Sequence, residues 1–231
     1  MATGEGGVLY VVATPIGNLE DVSARALRVL REVDGIAAED TRRTATLLRR
    51  FGIETRVVSY HDATEVRRAP ELVSRILAGE SLALVTDAGT PLVSDPGYRL
   101  VRAAIDAGVR VVPVPGASAA ITLLSVAGLA VDRFVFEGFL PAKPGKRRRR
   151  LETLRTESRT ILLYESPHHV ARTLAEIEEV LGDREIAVGR ELTKAFEEVL
   201  RGRVSEVRRA IESKGPRGEY TMAIAGASEE E

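Results

Sequence analysis

Cysteine is absent from the 231-residue sequence. Its absence excludes a disulfide frame, a thiolate nucleophile and a cysteine-based zinc site. Histidine is scarce: His61, His168 and His169 are the only three, which argues against a histidine-rich metal centre, so no metal is expected. Long hydrophobic runs are missing too. The longest apolar stretches are strand-length, far short of a membrane span. The start, MATGEGG, has none of the cationic, apolar and cleavage regions of a secretory signal, so a cytoplasmic protein is expected. The formal net charge is only -1. What is present is a 44% hydrophobic fraction, ordinary for a globular protein and enough for one large domain or two small ones.

The stretch LALVTDAGTPLVSDPG, Leu82 to Gly97, organises the chain. Its first four residues suit a strand buried in a parallel sheet. Asp87, Gly89, Thr90 and Pro91 must then turn, and Asp95 followed by Pro96 reads as N-cap and first residue of a helix. Ligands of open α/β sheets sit beyond the carboxyl ends of the strands. A loop with little side-chain bulk also lets backbone N–H groups approach a ligand. This loop is therefore the first candidate binding site, with a plain tight connection as the alternative.

Further strands are expected at Leu9–Ala13, Gly35–Ala38, Thr55–Ser59 and Val109–Val114. Helices are expected over Asp21–Val33, from an Asp40 cap to Arg50, over Pro70–Ala78, and after a Ser118 cap. This alternation predicts βαβ units and a parallel sheet. A second series of strands follows at Phe134–Phe139, Thr160–Tyr164, Glu185–Leu192, Glu197–Arg201 and Tyr220–Ala225. Helices lie between them, one behind a Ser166 cap and Pro167, another near Val204–Ile211. Lys194–Glu198 is too short for a crossover, so part of this sheet is antiparallel. The fold class is thus α/β with two α/β domains: 1–131 around a mostly parallel sheet, and 132–231 around a mixed sheet. A basic arm, 141–150, lies near the boundary.

TPIGN at Thr14–Asn18 occupies the first strand-to-helix turn, but with Gly17 alone it lacks the dinucleotide signature. Glu39 and Asp40 fall where an acidic residue would bind a ribose, although capping explains Asp40 better. Potential acid/base groups collect at strand ends: Glu39 with Asp40, His61 with Asp62, Asp87, Glu165 with His168, and Glu191 with Lys194. Capping and solvation account for most such residues, and spacing alone does not choose among these.

The arm KPGKRRRR begins with Pro and Gly, which keep its start out of regular structure. Guanidinium groups fit phosphates bidentately, and four arginines entering a helix oppose its dipole. Nucleic-acid contact by Lys143, Lys146, Arg147, Arg148, Arg149 and Arg150 is expected, against the alternative of a solvated helix face.

Taken in order, ATPIGNLEDVS, AAEDTRRT, VTDAGTPLVSDPGYRLV, VPVPGASA, FEGFLP, YESPHH, RELTKAFEE and RGEY resemble the bacterial S-adenosylmethionine-dependent methyltransferases that modify a cytidine 2′-hydroxyl in 16S ribosomal RNA. These belong to the tetrapyrrole methylase superfamily. The resemblance implies a homodimer of two-domain chains, a small-ribosomal-subunit substrate, and a methyl donor held in a cleft between the domains. It assigns to the donor Pro15, the loop Asp87, Ala88, Gly89, Thr90 and Pro91, then Ser118 and Ala119, Glu165 and Ser166, and Tyr220, Thr221 and Met222. Ala117 stands where proline is common and His169 where arginine is common. Glu191 and Lys194, with Glu39 and Asp40, are the polar groups assigned to catalysis. A methyltransferase for a small tetrapyrrole and a non-enzymatic ribosomal RNA-binding module are the rival readings.

Overall fold

The computed structural model describes residues 6–228. The acidic end Glu229–Glu231 and the first five residues lie outside them. The chain divides into two compact units, Met1–Ser118 and Ala119–Glu231.

The first unit alternates strand and helix throughout: β1 (Val8–Val12), α1 (Ala24–Glu32), β2 (Gly35–Ala38), α2 (Thr41–Arg50), β3 (Val57–Ser59), α3 (Glu65–Leu77), β4 (Leu82–Val85), α4 (Tyr98–Asp106) and β5 (Arg110–Val114). The strands pair in the order β3-β2-β4-β1-β5, and every pairing is parallel. Because side chains alternate along a strand, β4 feeds two cores. Ala83 and Val85 pack with Val29 and Leu30 of α1 and Leu47 and Leu48 of α2. Leu82 and Leu84 pack with Leu72 and Ile76 of α3 and Leu100 and Ala104 of α4. Thus α1 and α2 cover one face and α3 and α4 the other. The strands on either side of β4, β2 and β1, send their helices to the face opposite α4. Such a divergence opens a crevice at the strand ends, and the loop after β4 emerges into it.

The second unit holds α5 (Ala119–Ala127), β6 (Phe134–Phe139), α6 (Pro144–Thr153), β7 (Thr160–Glu165), α7 (Val170–Leu181), β8 (Glu185–Arg190), β9 (Glu198–Arg203), α8 (Val204–Lys214) and β10 (Tyr220–Ile224). The order is β6-β7-β10-β8-β9. β6 runs parallel to β7, while β10 is antiparallel to β7 and β8, and β8 to β9. This is the mixed sheet foreseen from the short Lys194–Glu198 link. The structure places α5, grouped by composition with the first domain, against β10, β8 and β7. One core, from Leu151 and Leu174 to Met222 and Ile224, serves the unit.

Several boundaries differ from expectation. Asp95 is not the cap of α4; that helix starts at Tyr98 behind Gly97, whose φ is 140°. Likewise Ser166 and Pro167 precede α7 by a full turn, in which His169 and Val170 donate to the Ser166 carbonyl, and His169 is the N-cap. Helix α1 begins at Ala24 on a Ser23 cap rather than at Asp21, which closes a 3₁₀ turn. Helix α3 starts five residues before Pro70 and carries that proline inside it. The Thr64 hydroxyl and the His61 backbone bond each other and fix the turn ahead of it. The basic arm is regular from its start: Pro144 is in the first turn of α6, and Gly145 and all four arginines are helical.

Candidate active site

At the carboxyl edge of the first sheet the loops after β1, β2 and β4 are tied to one another. Thr14 and Gly89 exchange two backbone hydrogen bonds, 2.9 and 3.0 Å. The Thr14 hydroxyl donates to the Thr86 carbonyl at 3.1 Å. Gly89 takes a φ of 85°, and a Cβ there would meet Ile16 Cγ2 at 3.3 Å, so a side chain at this position is opposed by both backbone and space. The Thr90 hydroxyl donates to the Ala117 carbonyl at 3.2 Å, joining the loop after β5. Pro15, Gly89 and Pro91 are buried, while Asp87, Ala88 and Thr90 are half-buried.

Each carboxylate here has an assigned partner. Glu39 accepts the Thr86 hydroxyl at 2.7 Å. Asp87 accepts the Asp40 N–H at 2.9 Å and lies 3.5 Å from the Arg43 guanidinium. Asp40 caps α2 through the Arg42 N–H and also receives the Arg42 side chain, at 3.1 and 2.8 Å. These bonds hold its carboxyl far below the usual carboxylate range. Capping, as the sequence favoured, is what Asp40 does. Asp95, freed from the capping role, is a half-buried carboxyl. Burial pushes it up to about 6, with the charges of Glu39, Asp87 and Asp62 acting in the same direction against a hydrogen bond with Thr86. Tyr60, just past the end of β3, is fully buried; its oxygen accepts the Leu100 N–H at 3.1 Å, and it pins α4.

In the second unit, β7 and β10 set Glu165 opposite Tyr220, Tyr164 opposite Thr221 and Leu163 opposite Met222. Glu165 is 8% exposed. Its two oxygens accept the Ser166 N–H and the Thr173 hydroxyl, both at 2.7 Å, so the carboxylate shapes the turn into α7. The Ser166 hydroxyl is buried and has no hydrogen-bond partner among the described residues. Ser118 ends the first unit, and Ala119 opens α5, whose Ala120 N–H donates to the Tyr164 hydroxyl at 3.3 Å.

Glu191 and Lys194 do meet, in the tight connection from β8 to β9. Lys194 Nζ donates to Glu191 at 2.8 Å and to Glu219 at 2.9 Å, and the Glu219 N–H donates to Glu191 at 2.9 Å. Glu219, unmarked by the sequence reading, completes this group. The bond from Lys194 holds Glu191 below its ordinary value. Burial alone would lower Lys194, but its bonds to Glu191 and Glu219 outweigh that and raise it. Both groups are therefore charged near neutral pH. Glu191 and Thr193 have φ of 49° and 67°, left-handed values unusual outside glycine and concentrated at functional sites.

The six basic residues of the arm do not share one environment. Arg147 is 2% exposed, and its guanidinium donates two hydrogen bonds to the Glu176 carboxylate, 2.6 and 2.7 Å, and one to the Ala142 carbonyl. Arg148 pairs with Glu179 and Glu152, and Arg150 with Glu137. Lys143, Lys146 and Arg149 are exposed. Among the described residues no group of histidines and carboxylates could hold a metal ion, and no helix is long and apolar enough to cross a membrane.

Residues 8–208 match the family described as Tetrapyrrole (Corrin/Porphyrin) Methylases. Ribosomal RNA small subunit methyltransferase I of Pseudomonas aeruginosa is 50% identical over 223 residues, 95% of this chain and 79% of that protein. The protein of the same name from Xylella fastidiosa is 50% identical over 97% of this chain and 84% of its own length. A crystal structure of uroporphyrin-III-C-methyltransferase from Thermus thermophilus superposes with a TM-score of 0.67 at 21% identity, covering 95% of this chain and 94% of that one, a likeness of fold alone. By sequence along nearly its whole length and by the architecture of both units, this chain belongs to the tetrapyrrole (corrin/porphyrin) methylase family, in the group of the small-subunit ribosomal RNA methyltransferase I proteins.

Proposed function

We propose that the protein transfers a methyl group from S-adenosylmethionine to the 2′-hydroxyl of a cytidine in 16S ribosomal RNA, acting as a cytoplasmic homodimer. The observation that carries the acceptor class is the 50% identity, over nearly the whole chain, to proteins named for small-subunit ribosomal RNA methylation. The cytidine, the ribose position, the dimer and the compartment rest on the resemblance of the motifs.

The residues present fit the donor. Gly89 at positive φ puts no side chain beside the loop, and the buried Ser166 hydroxyl, unpartnered among the described residues, is the kind of orphan that a polar ligand satisfies. Pro15 and Asp87 to Pro91 would hold the donor in the first unit, with Ser118 beside them in sequence. Ala119, Glu165, Ser166 and Tyr220 to Met222 are the second unit's share. When bound, the donor supplies a sulfonium methyl that needs no further activation.

The chain's own work is then positioning and proton handling. Glu191 is ionised and can accept a proton from a hydroxyl. Lys194 stays protonated between Glu191 and Glu219, and keeps that carboxylate fixed in place. Glu39 and Asp40, held by Thr86 and Arg42 beside the loop after β4, would line the binding rim.

Purified protein should move labelled methyl from S-adenosylmethionine to small ribosomal subunits that lack the modification, and digestion to nucleosides should place the label in 2′-O-methylcytidine. Label on a base, or none on RNA with transfer to a porphyrin instead, would overturn the assignment.

A further inference from the structure

Helix α2 carries the sequence TRRTATLLRR. Of the charged helices among the described elements, it alone has no Asp or Glu. On other helices many arginines pair with carboxylates of their own or a neighbouring element. Arg28 pairs with Glu32 and Arg102 with Asp106, and Arg147, Arg148 and Arg150 of α6 are paired as described. On α2 the buried positions Thr44, Leu47 and Leu48 face the core. Arg42, Arg43, Thr46, Arg49 and Arg50 are all exposed. Their spacing of one, four, seven and eight residues puts them on one stripe, about 12 Å long from the rise per residue.

The two ends of the stripe differ. Arg49 and Arg50 stand in the last turn, where the helix dipole favours cations. Arg42 and Arg43 stand in the first turn, where it opposes them. Asp40 and Asp87 offset that opposition, and in doing so fix the two guanidinium groups beside the loop after β4. Among the described residues Arg49 bonds only within the helix, to the Ala45 carbonyl and the Thr46 hydroxyl. At the far end Arg31 of α1 donates to the Phe51 carbonyl at 3.0 Å, adding a cation to the same end.

We infer that the exposed face of α2 is a phosphate-binding track that leads the RNA backbone to the loop after β4. This rests on RNA being the methyl acceptor. A helix with no carboxylate of its own, whose Arg49 and Arg50 have no carboxylate partner among the described residues while Arg42 and Arg43 are oriented by Asp40 and Asp87, suits a polyanion, and guanidinium forks suit phosphate oxygens. The small Thr46 in the middle of the row leaves room for a backbone to lie along it. The track carries no base readout, since the contacts are to phosphate.

The affinity of the protein for unmodified small-subunit ribosomal RNA, measured against salt concentration, tests this. Each phosphate contact contributes about 0.7 to the log–log slope for single strands. The double variant R49S/R50S should lower the slope magnitude by about 1.4. R49K/R50K should restore it, and R102S, which removes an arginine paired with Asp106, should leave it unchanged. Wild-type binding with an unaltered slope in R49S/R50S overturns the track alone, as does an equal loss in R102S. Failure of the wild-type protein to bind the RNA overturns the track together with the RNA reading.

Discussion

Asp95 shows how a single side chain can be misread from its neighbours. Next to Pro96 it has the signature of a helix cap, yet Gly97 is the N-cap of α4. The carboxyl is left half-buried among Glu39, Asp87 and Asp62, and its pKa is raised from 3.8 to about 6. The consequence for stability has a definite sign. Between these values the unfolded chain has released the proton while the folded one retains it, so stability falls as pH rises through that window. Replacement by Asn removes the charge. Urea unfolding of Asp95→Asn against wild type should therefore show the variant gaining relative stability between pH 4 and pH 7. A difference that does not change with pH would mean that Asp95 titrates as an ordinary surface carboxylate.

Helix α6 makes the corresponding point for an element. Four consecutive arginines look alike in a sequence, but their partners do not lie near them. Glu176 is on α7 and binds Arg147 in a nearly dry site, whereas Arg149 faces solvent. Removing one member of a buried ion pair leaves the other uncompensated and costs about 3 to 5 kcal/mol. Exposed substitutions usually change stability by about 0.5 kcal/mol or less. Chemical denaturation should therefore show Arg147→Ala strongly destabilised and Arg149→Ala close to wild type; equal effects would refute the distinction. The local patterns that did read correctly were hydrophobic runs and link lengths. β2 and β4 were bounded at the right residues, and the antiparallel return after Lys194 followed from the length of the link alone. The start signals at Pro96 and Pro167 each stand ahead of the true cap: Pro96 directly precedes the N-cap Gly97, and Pro167 lies in a turn that precedes the N-cap His169. The pairing of Glu191 with Glu219 joins residues 28 positions apart and has no local signature.

For the molecule as a whole, a net charge of -1 conceals separate cationic surfaces. Among the described residues the exposed cations of the arm without a carboxylate partner are Lys143, Lys146 and Arg149, fewer than the sequence counts. Their joint replacement by serine should lower the magnitude of the RNA salt slope by about 2, with three contacts at about 0.7 each, while S-adenosylmethionine affinity holds. An unchanged slope would make this end of α6 a solvated face. The same scale separates the two units by their contacts: the second contains a β8–β9 pair joined by a short link, but the first has only parallel pairings, none of which a hairpin can seed.

That parallel order bears on how the chain comes off the ribosome. Leu9 of β1 sits between Leu82 and Val111 in the finished sheet, so the first strand to be synthesised has no partner until β4 has been made, and its second edge stays open until β5 follows. The earliest pairing the nascent chain can form is β2 with β3. Closing such distant contacts is slow, and an unpaired apolar strand is open to aggregation meanwhile. β1 is thus among the last strands of its sheet to be enclosed, and it depends on translation proceeding through Val114 before the sheet that carries the loop after β4 can close.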